Sequence, residues 1–84
     1  MIVHVRLLAR ARDLAGADVL RMNLPEDATV ADLRRRLSAD YPALSSLLER
    51  SALAVENEIA ADSLVLSHDA EIALLPPVSG GESQ

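Results

Sequence analysis

Apolar and polar residues alternate at the start of the chain. In IVHVRLLA (residues 2–9), Val3, Val5, Leu7 and Ala9 fall on one side, with His4 and Arg6 on the other. That period of two predicts a half-buried strand. The pattern returns in DVLRMNL (residues 18–24), which sets Leu20, Met22 and Leu24 against Val19, Arg21 and Asn23. Between the two, RARDLAG predicts a short helical turn closed by Gly16, because glycine takes the left-handed helix-ending conformation without a Cβ penalty. Two strands on so short a connection predict an antiparallel hairpin.

The period then changes. In PEDATVADLRRRLSADYP, Val30, Leu33 and Leu37 recur at helical spacing. Thr29 is placed to be the N-cap, and Asp32, three residues on, makes an acidic form of the capping box. Asp32 and Arg36 stand an i,i+4 step apart and are expected to pair on the outer side. Pro42 limits this helix, since the residue before a proline avoids the helical region. Leu44, Leu47 and Leu48 then mark a second, shorter helical segment over residues 43–51.

Beyond it the chain returns to short extended runs. ALAVENEIA (residues 52–60) predicts one strand, with Leu53 and Val55 on one face. SLVL (63–66) is a short strand or bridge, SHDAE a turn, and EIALLP the last strand. Pro76 and Pro77 end that strand, because neither has an N–H for a ladder. The order is strand, strand, helix, then two or three short strands. It predicts an α+β domain over residues 1–77, with the main helix packed on one face of the sheet. Residues 78–84, VSGGESQ, have nothing to pack and are expected to be a flexible tail, so a rigid sheet projects an arm.

Composition narrows the chemistry. Half of the 84 residues are hydrophobic, but Tyr41 is the only aromatic, so the core rests on branched aliphatics at regular spacing. There is no cysteine, which excludes disulfides, thiol nucleophiles and thiolate metal ligands from this chain and fits a reducing, cytoplasmic setting. All eight basic residues are arginine, so no side-chain amine here accepts an acyl group. A net charge of −5 argues against non-specific nucleic-acid binding. No apolar run approaches a membrane span, and the N-terminal run reads as a strand rather than a signal peptide.

A conventional active site is hard to assemble. His4 falls on a strand and His68 in a turn, where each reads as a polar surface residue. Asp62, Asp69 and Glu71 lie near a turn without a metal-ligand spacing. Arg34, Arg35 and Arg36 read as a solvated helix face, with partner docking as the second reading. What remains is the ending, LLPPVSGGESQ. Glycines let a backbone enter a narrow channel in another protein, and the Pro-Pro step stiffens the base of the arm, reducing the entropy lost on docking. The reactive group is then the α-carboxylate of Gly81, activated by a partner.

LLARARDLAG, ALAVENE and EIALLPPVSGG resemble the small subunits of molybdopterin synthase, in the expected order from Met1 to Gly81. The resemblance implies a ubiquitin-like β-grasp fold, a mixed sheet of four to five strands. It implies that an E1-like enzyme adenylates the Gly81 carboxylate with ATP and that a sulfur donor makes the thiocarboxylate. The arm then enters the synthase large subunit, and its sulfur goes to cyclic pyranopterin monophosphate to build the molybdopterin dithiolene. ATP, zinc and substrate sites are implied to belong to partners, so this chain binds no cofactor or metal, and the implied assembly is a heterotetramer. Leu75, Pro76, Pro77, Val78, Ser79 and Gly80 are the implied partner-binding residues.

Several positions depart from the family. Leu74, Leu75 and Leu8 stand where aromatics are common, and strand alternation favours Leu75 over Leu74 as the docking residue. SHDAE lacks the glycine usual in that turn, so His68 or Asp69 must accept a left-handed backbone. The main departure is Glu82, Ser83 and Gln84. While Glu82 is attached, the Gly81 carbonyl belongs to an amide, so a precursor is expected that a processing protease arms by cutting after Gly81. Two alternatives stand: a sulfur carrier for thiamin, cysteine or tRNA thiolation, and a non-catalytic ubiquitin-like binding module.

Overall fold

The computed structural model describes residues 1–77. Its first hairpin is built from β1 (Ile2–Leu7) and β2 (Val19–Asn23), which pair antiparallel with Val5 opposite Leu20. Val3, Val5, Leu7, Leu20 and Met22 are all buried, as their alternation predicted. Ala9 is not part of the strand. It opens α1 (Ala9–Ala15) with φ 50°, since the connection must reverse direction immediately after Leu8. Gly16 caps α1 at φ 75°, its N–H donating to the Arg12 carbonyl.

The main helix, α2 (Val30–Asp40), buries Val30, Leu33 and Leu37. Thr29 and Asp32 form the reciprocal box: the Asp32 N–H donates to Thr29 Oγ1 at 3.2 Å and the Thr29 N–H to Asp32 Oδ2 at 2.9 Å. Two further N–H groups of the first turn are satisfied by a loop, Val30 donating to the Leu64 carbonyl and Ala31 to that of Asp62. Those carbonyls are thereby committed to the helix end. Residues 63–66 accordingly make only a single bridge, between Thr29 and Val65, rather than a strand.

The expected Asp32–Arg36 pair does not form. Asp32 pairs with Arg35, while Arg36 donates to Asp40 Oδ2 at 2.9 Å and to the Asn23 carbonyl at 3.1 Å. Asp32 is turned toward Thr29 by the capping box, which leaves the neighbour one residue closer as its partner. The Thr29 N–H and hydroxyl, and then Arg35, hold the Asp32 carboxyl below its usual value. A group lowered on folding contributes stability above its ordinary value and loses it as pH falls through the folded one. Thr29→Ala is expected to cost about 1 kcal/mol, and Asp32→Asn to flatten the acid limb of stability; urea unfolding across acidic pH checks both. An acid limb as steep in Asp32→Asn as in the wild type would remove Asp32 from that account.

After α2, a 3-10 turn (Pro42–Leu44) and α3 (Ser45–Glu49) bury Leu44, Leu47 and Leu48. The buried Ser51 hydroxyl donates back to the Leu47 carbonyl. Residues 52–60 are not one strand but a hairpin of β3 (Ala52–Val55) and β4 (Glu58–Ile59). Glu56 and Asn57 both have positive φ, 51° and 72°, the signature of a two-residue hairpin turn that a left-handed pair supplies. In the SHDAE turn it is Asp69, at φ 59°, that adopts the left-handed backbone.

β5 (Glu71–Leu75) inserts in the middle, giving the strand order β2-β1-β5-β3-β4. It runs parallel to β1 and antiparallel to β3. One face of this five-stranded mixed sheet and the inner faces of the helices share a single aliphatic core. This is the expected α+β, β-grasp arrangement, with a hairpin on either side of the central strand β5 and the helices packed on one face.

Candidate functional site

The sheet's central strand leads to the arm. Leu74 pairs with Leu7 on one side and Leu53 on the other, and is buried in the core at 1% exposure. Leu75 is opposite Ala52, half-buried on the other face. The alternation that separated the two leucines is thus realised, with Leu74 in the core and Leu75 turned outward. Pro76 is exposed and Pro77 half-buried, and neither belongs to the sheet. Val78, Ser79, Gly80 and Gly81 lie outside the described residues, as do Glu82, Ser83 and Gln84.

The outer face of the sheet is organised in cross-strand rows. Val19, Arg6, Ala73, Ala54 and Ile59 form one row across all five strands. Next to it lie Arg21, His4 and Glu71. Ala73 and Ala54 are small, so the row sinks at its centre into an open depression lined also by His4, Arg6, Asn57 and Glu71. Val19 and Ile59 at the two margins are 44% and 67% exposed. The face therefore offers aliphatic contact at its edges and charge beside its middle.

The candidate acid–base residues are not assembled. His4 sits in that outer face, paired across strands with Arg21 and Glu71. His68 Nε2 lies 2.8 Å from Glu26 Oε1, next to the chain's amino group, which is 3.9 Å from Glu26 Oε2. Both histidines lie toward the end of the sheet remote from Leu75. Among the described residues no group of three or more His, Asp or Glu side chains is placed to hold a metal ion, so Asp62, Asp69 and Glu71 are separate features. Asp62 instead accepts from Arg34 Nε at 3.0 Å, while Arg34 Nη1 donates to the Leu48 carbonyl at 2.7 Å. Arg34 is thus a strap between α2, α3 and the following loop, Arg35 is engaged on α2 itself, and Arg36 ties α2 to the end of β2 through the Asn23 carbonyl, so the triplet is more than a solvated face.

A family model described as the ThiS family matches residues 5–81, from the middle of β1 through Gly81. The chain belongs to the ThiS family. That match takes in Gly80 and Gly81 and stops before Glu82. Among relatives of this ThiS-family chain, the molybdopterin synthase sulfur carrier subunit of Dictyostelium discoideum is 41% identical over 81 residues, covering 92% of this chain and 93% of that protein. The subunit of the same name from Arabidopsis thaliana is 34% identical over 79 residues, covering 94% and 82%. Among solved structures, the crystal structure of H. volcanii small archaeal modifier protein 1 superposes with TM-score 0.83 at 29% identity, covering 92% of this chain and 98% of that one.

No helix of the described residues is long and apolar enough to cross a membrane. What the sequence left unread is the neighbourhood of the arm's base. The register brings Leu8, 38% exposed, beside the level of Leu75 on one side and Ala52 on the other. Only the parallel pairing of two strands nearly seventy positions apart creates that juxtaposition, and no local pattern announces it.

Proposed function

We propose that this chain is the sulfur carrier subunit of a molybdopterin synthase, working as a donor for partners rather than as an enzyme alone. The observation that carries the reading is 41% identity to a protein of that name over almost its whole length. The fold supports it, because the central strand ends at Leu75 and Pro76 and Pro77 stand just beyond it, outside the sheet. The chemistry belongs to Gly81. Its carboxylate attacks the α-phosphorus of ATP in an E1-like partner, and pyrophosphate leaves. Sulfur at the oxidation level of sulfide displaces AMP and leaves the thiocarboxylate. That sulfur passes to cyclic pyranopterin monophosphate in the large subunit, toward the dithiolene.

Each residue has a physical part. Gly80 keeps the arm narrow, and Pro76, Pro77, Val78 and Ser79 line the partner's channel with little freedom to lose on entry. Leu75 adds apolar contact at the arm's base. ATP and metal sites are assigned to the partners, the assembly to two carriers flanking a large-subunit dimer, and the setting to the cytoplasm. The test is reconstitution. The chain ending at Gly81 is charged with the E1-like enzyme, ATP and sulfide, then given the large subunit and cyclic pyranopterin monophosphate. Molybdopterin should appear and the thiocarboxylate should disappear; charging without product would overturn the molybdopterin assignment.

A second reading has its own observation, the likeness to a small archaeal modifier protein. On that reading the activated Gly81 acylates lysines of other proteins. The same charged chain separates the two, because conjugates form on lysine-bearing targets without the pterin substrate. Sulfur delivery to thiamin, cysteine or tRNA is separated by rescue of strains lacking each pathway. A binding module that uses no Gly81 chemistry would leave all of these assays empty.

A further inference from the structure

The charges of this chain are sorted along the strands. At the end where β5 begins, the loops and strand ends carry Glu26, Asp27, Glu56, Glu58, Asp69 and Glu71, with Arg21 level with Glu71 across β1. At the opposite end, where the arm leaves, the register sets two arginines around it. Leu7 is level with Leu74 on β1, so Arg10 follows in the first turn of α1, beside the exit. Ala52 is level with Leu75 on β3, so Arg50 precedes it on the other side. Both are exposed, and among the described residues neither takes part in an ion pair. Arg12, Arg34, Arg35 and Arg36 are each paired within the chain, and the remaining two, Arg6 and Arg21, stand on the outer face of the sheet rather than at the exit.

We infer that Arg10 and Arg50 form a cationic collar at the base of the arm that docks on an acidic protein surface rimming the channel the arm enters. The inference rests on the carrier reading and deepens it by naming the chemistry of the partner's rim. The occupant follows from charge. Two unneutralised guanidiniums at one end of a chain of net charge −5 orient it arm-first toward carboxylates and turn its acidic end away. Such pairing acts mainly on the association rate and on orientation, and it is screened by salt. Acids at the same end, Asp13 and Glu49, confine the attraction to the two sides of the exit.

The test uses the full domain ending at Gly81 and the synthase large subunit, with association followed by stopped flow. Arg10→Gln with Arg50→Gln is expected to lower the association rate about tenfold at low ionic strength, with the difference vanishing at high salt. Arg10→Lys with Arg50→Lys should retain the wild-type rate. Adding Glu58→Lys to the double glutamine variant restores the net charge from the far end of the molecule. If that recovers the rate, overall charge rather than the collar is responsible and the inference fails. It also fails if the double glutamine variant associates like the wild type. A wild-type chain that does not bind the large subunit overturns the carrier reading itself, which the comparison among variants leaves distinct. Circular dichroism and thermal unfolding should be unchanged throughout, since neither arginine side chain supports the fold.

Discussion

A chain ending at Gly81, incubated with the E1-like enzyme, ATP and sulfide, will gain the mass of one oxygen-for-sulfur exchange. The same chain carrying Glu82, Ser83 and Gln84 will gain none until those residues are cut away. The reason is the state of one carbonyl. Adenylation needs a carboxylate oxygen as nucleophile, and in the longer chain the Gly81 carbonyl is an amide whose nitrogen belongs to Glu82. Nor does the chain offer another route to an acyl carrier: it has neither cysteine nor lysine, and His4 and His68 lie toward the other end of the sheet. The family match likewise ends at Gly81. Intact mass measurement decides the matter. Sulfur on a chain with its last three residues intact would end the precursor proposal. Protein from the native host should end at Gly81, whereas uncut protein there supports the binding-module reading.

Adjacent leucines at the arm's base should respond oppositely to truncation. Leu74→Ala removes a side chain that is 1% exposed in the central strand, and burial of that kind is worth about 2–5 kcal/mol. Against a total of about 5–15 kcal/mol for a small domain, the loss should lower the melting temperature by roughly 10–25 °C. Leu75→Ala, on the half-buried outer face, should cost about 1 kcal/mol or less, by its smaller change in buried area. Its larger effect should be weaker binding to the synthase large subunit. Thermal unfolding of both variants and a binding isotherm for Leu75→Ala separate the roles. Equal destabilisation by the two would place Leu75 in the core; unchanged binding would remove it from the docking surface.

Much of the fold was legible because its signals are local. Val3, Val5 and Leu7 alternate, Val30, Leu33 and Leu37 recur at helical spacing, and Thr29 precedes Asp32 at the distance a capping box requires. Gly16 marked the end of α1 for the same reason. The failures were also local in origin. Residues 52–60 look like one strand because Glu56 and Asn57 lack the glycine that usually announces a hairpin turn, although both adopt left-handed backbone. Asp32 and Arg36 satisfy the spacing for an ion pair, but the capping box had already fixed where the Asp32 carboxylate points. The site was only half visible. PPVSGG could be read directly, whereas the groups around its base could not, since Arg10 and Arg50 are forty positions apart and belong to different elements.

The sequence by itself determined the residue chemistry and most local elements: an aliphatic core, no thiol or side-chain amine to react, and a paired glycine beyond a proline stop. These are properties of side chains at short range, and a period or a missing residue type is visible one position at a time. Tertiary structure decided which strands are neighbours. β5 lies between β1 and β3, so the arm leaves between Arg10 and Arg50 with Leu75 facing outward and Leu74 buried. Strand pairing is made by backbone groups that are the same in every strand. The choice among partners therefore falls to the shared burial of distant side chains, which exists only once the whole sheet and its helix have come together.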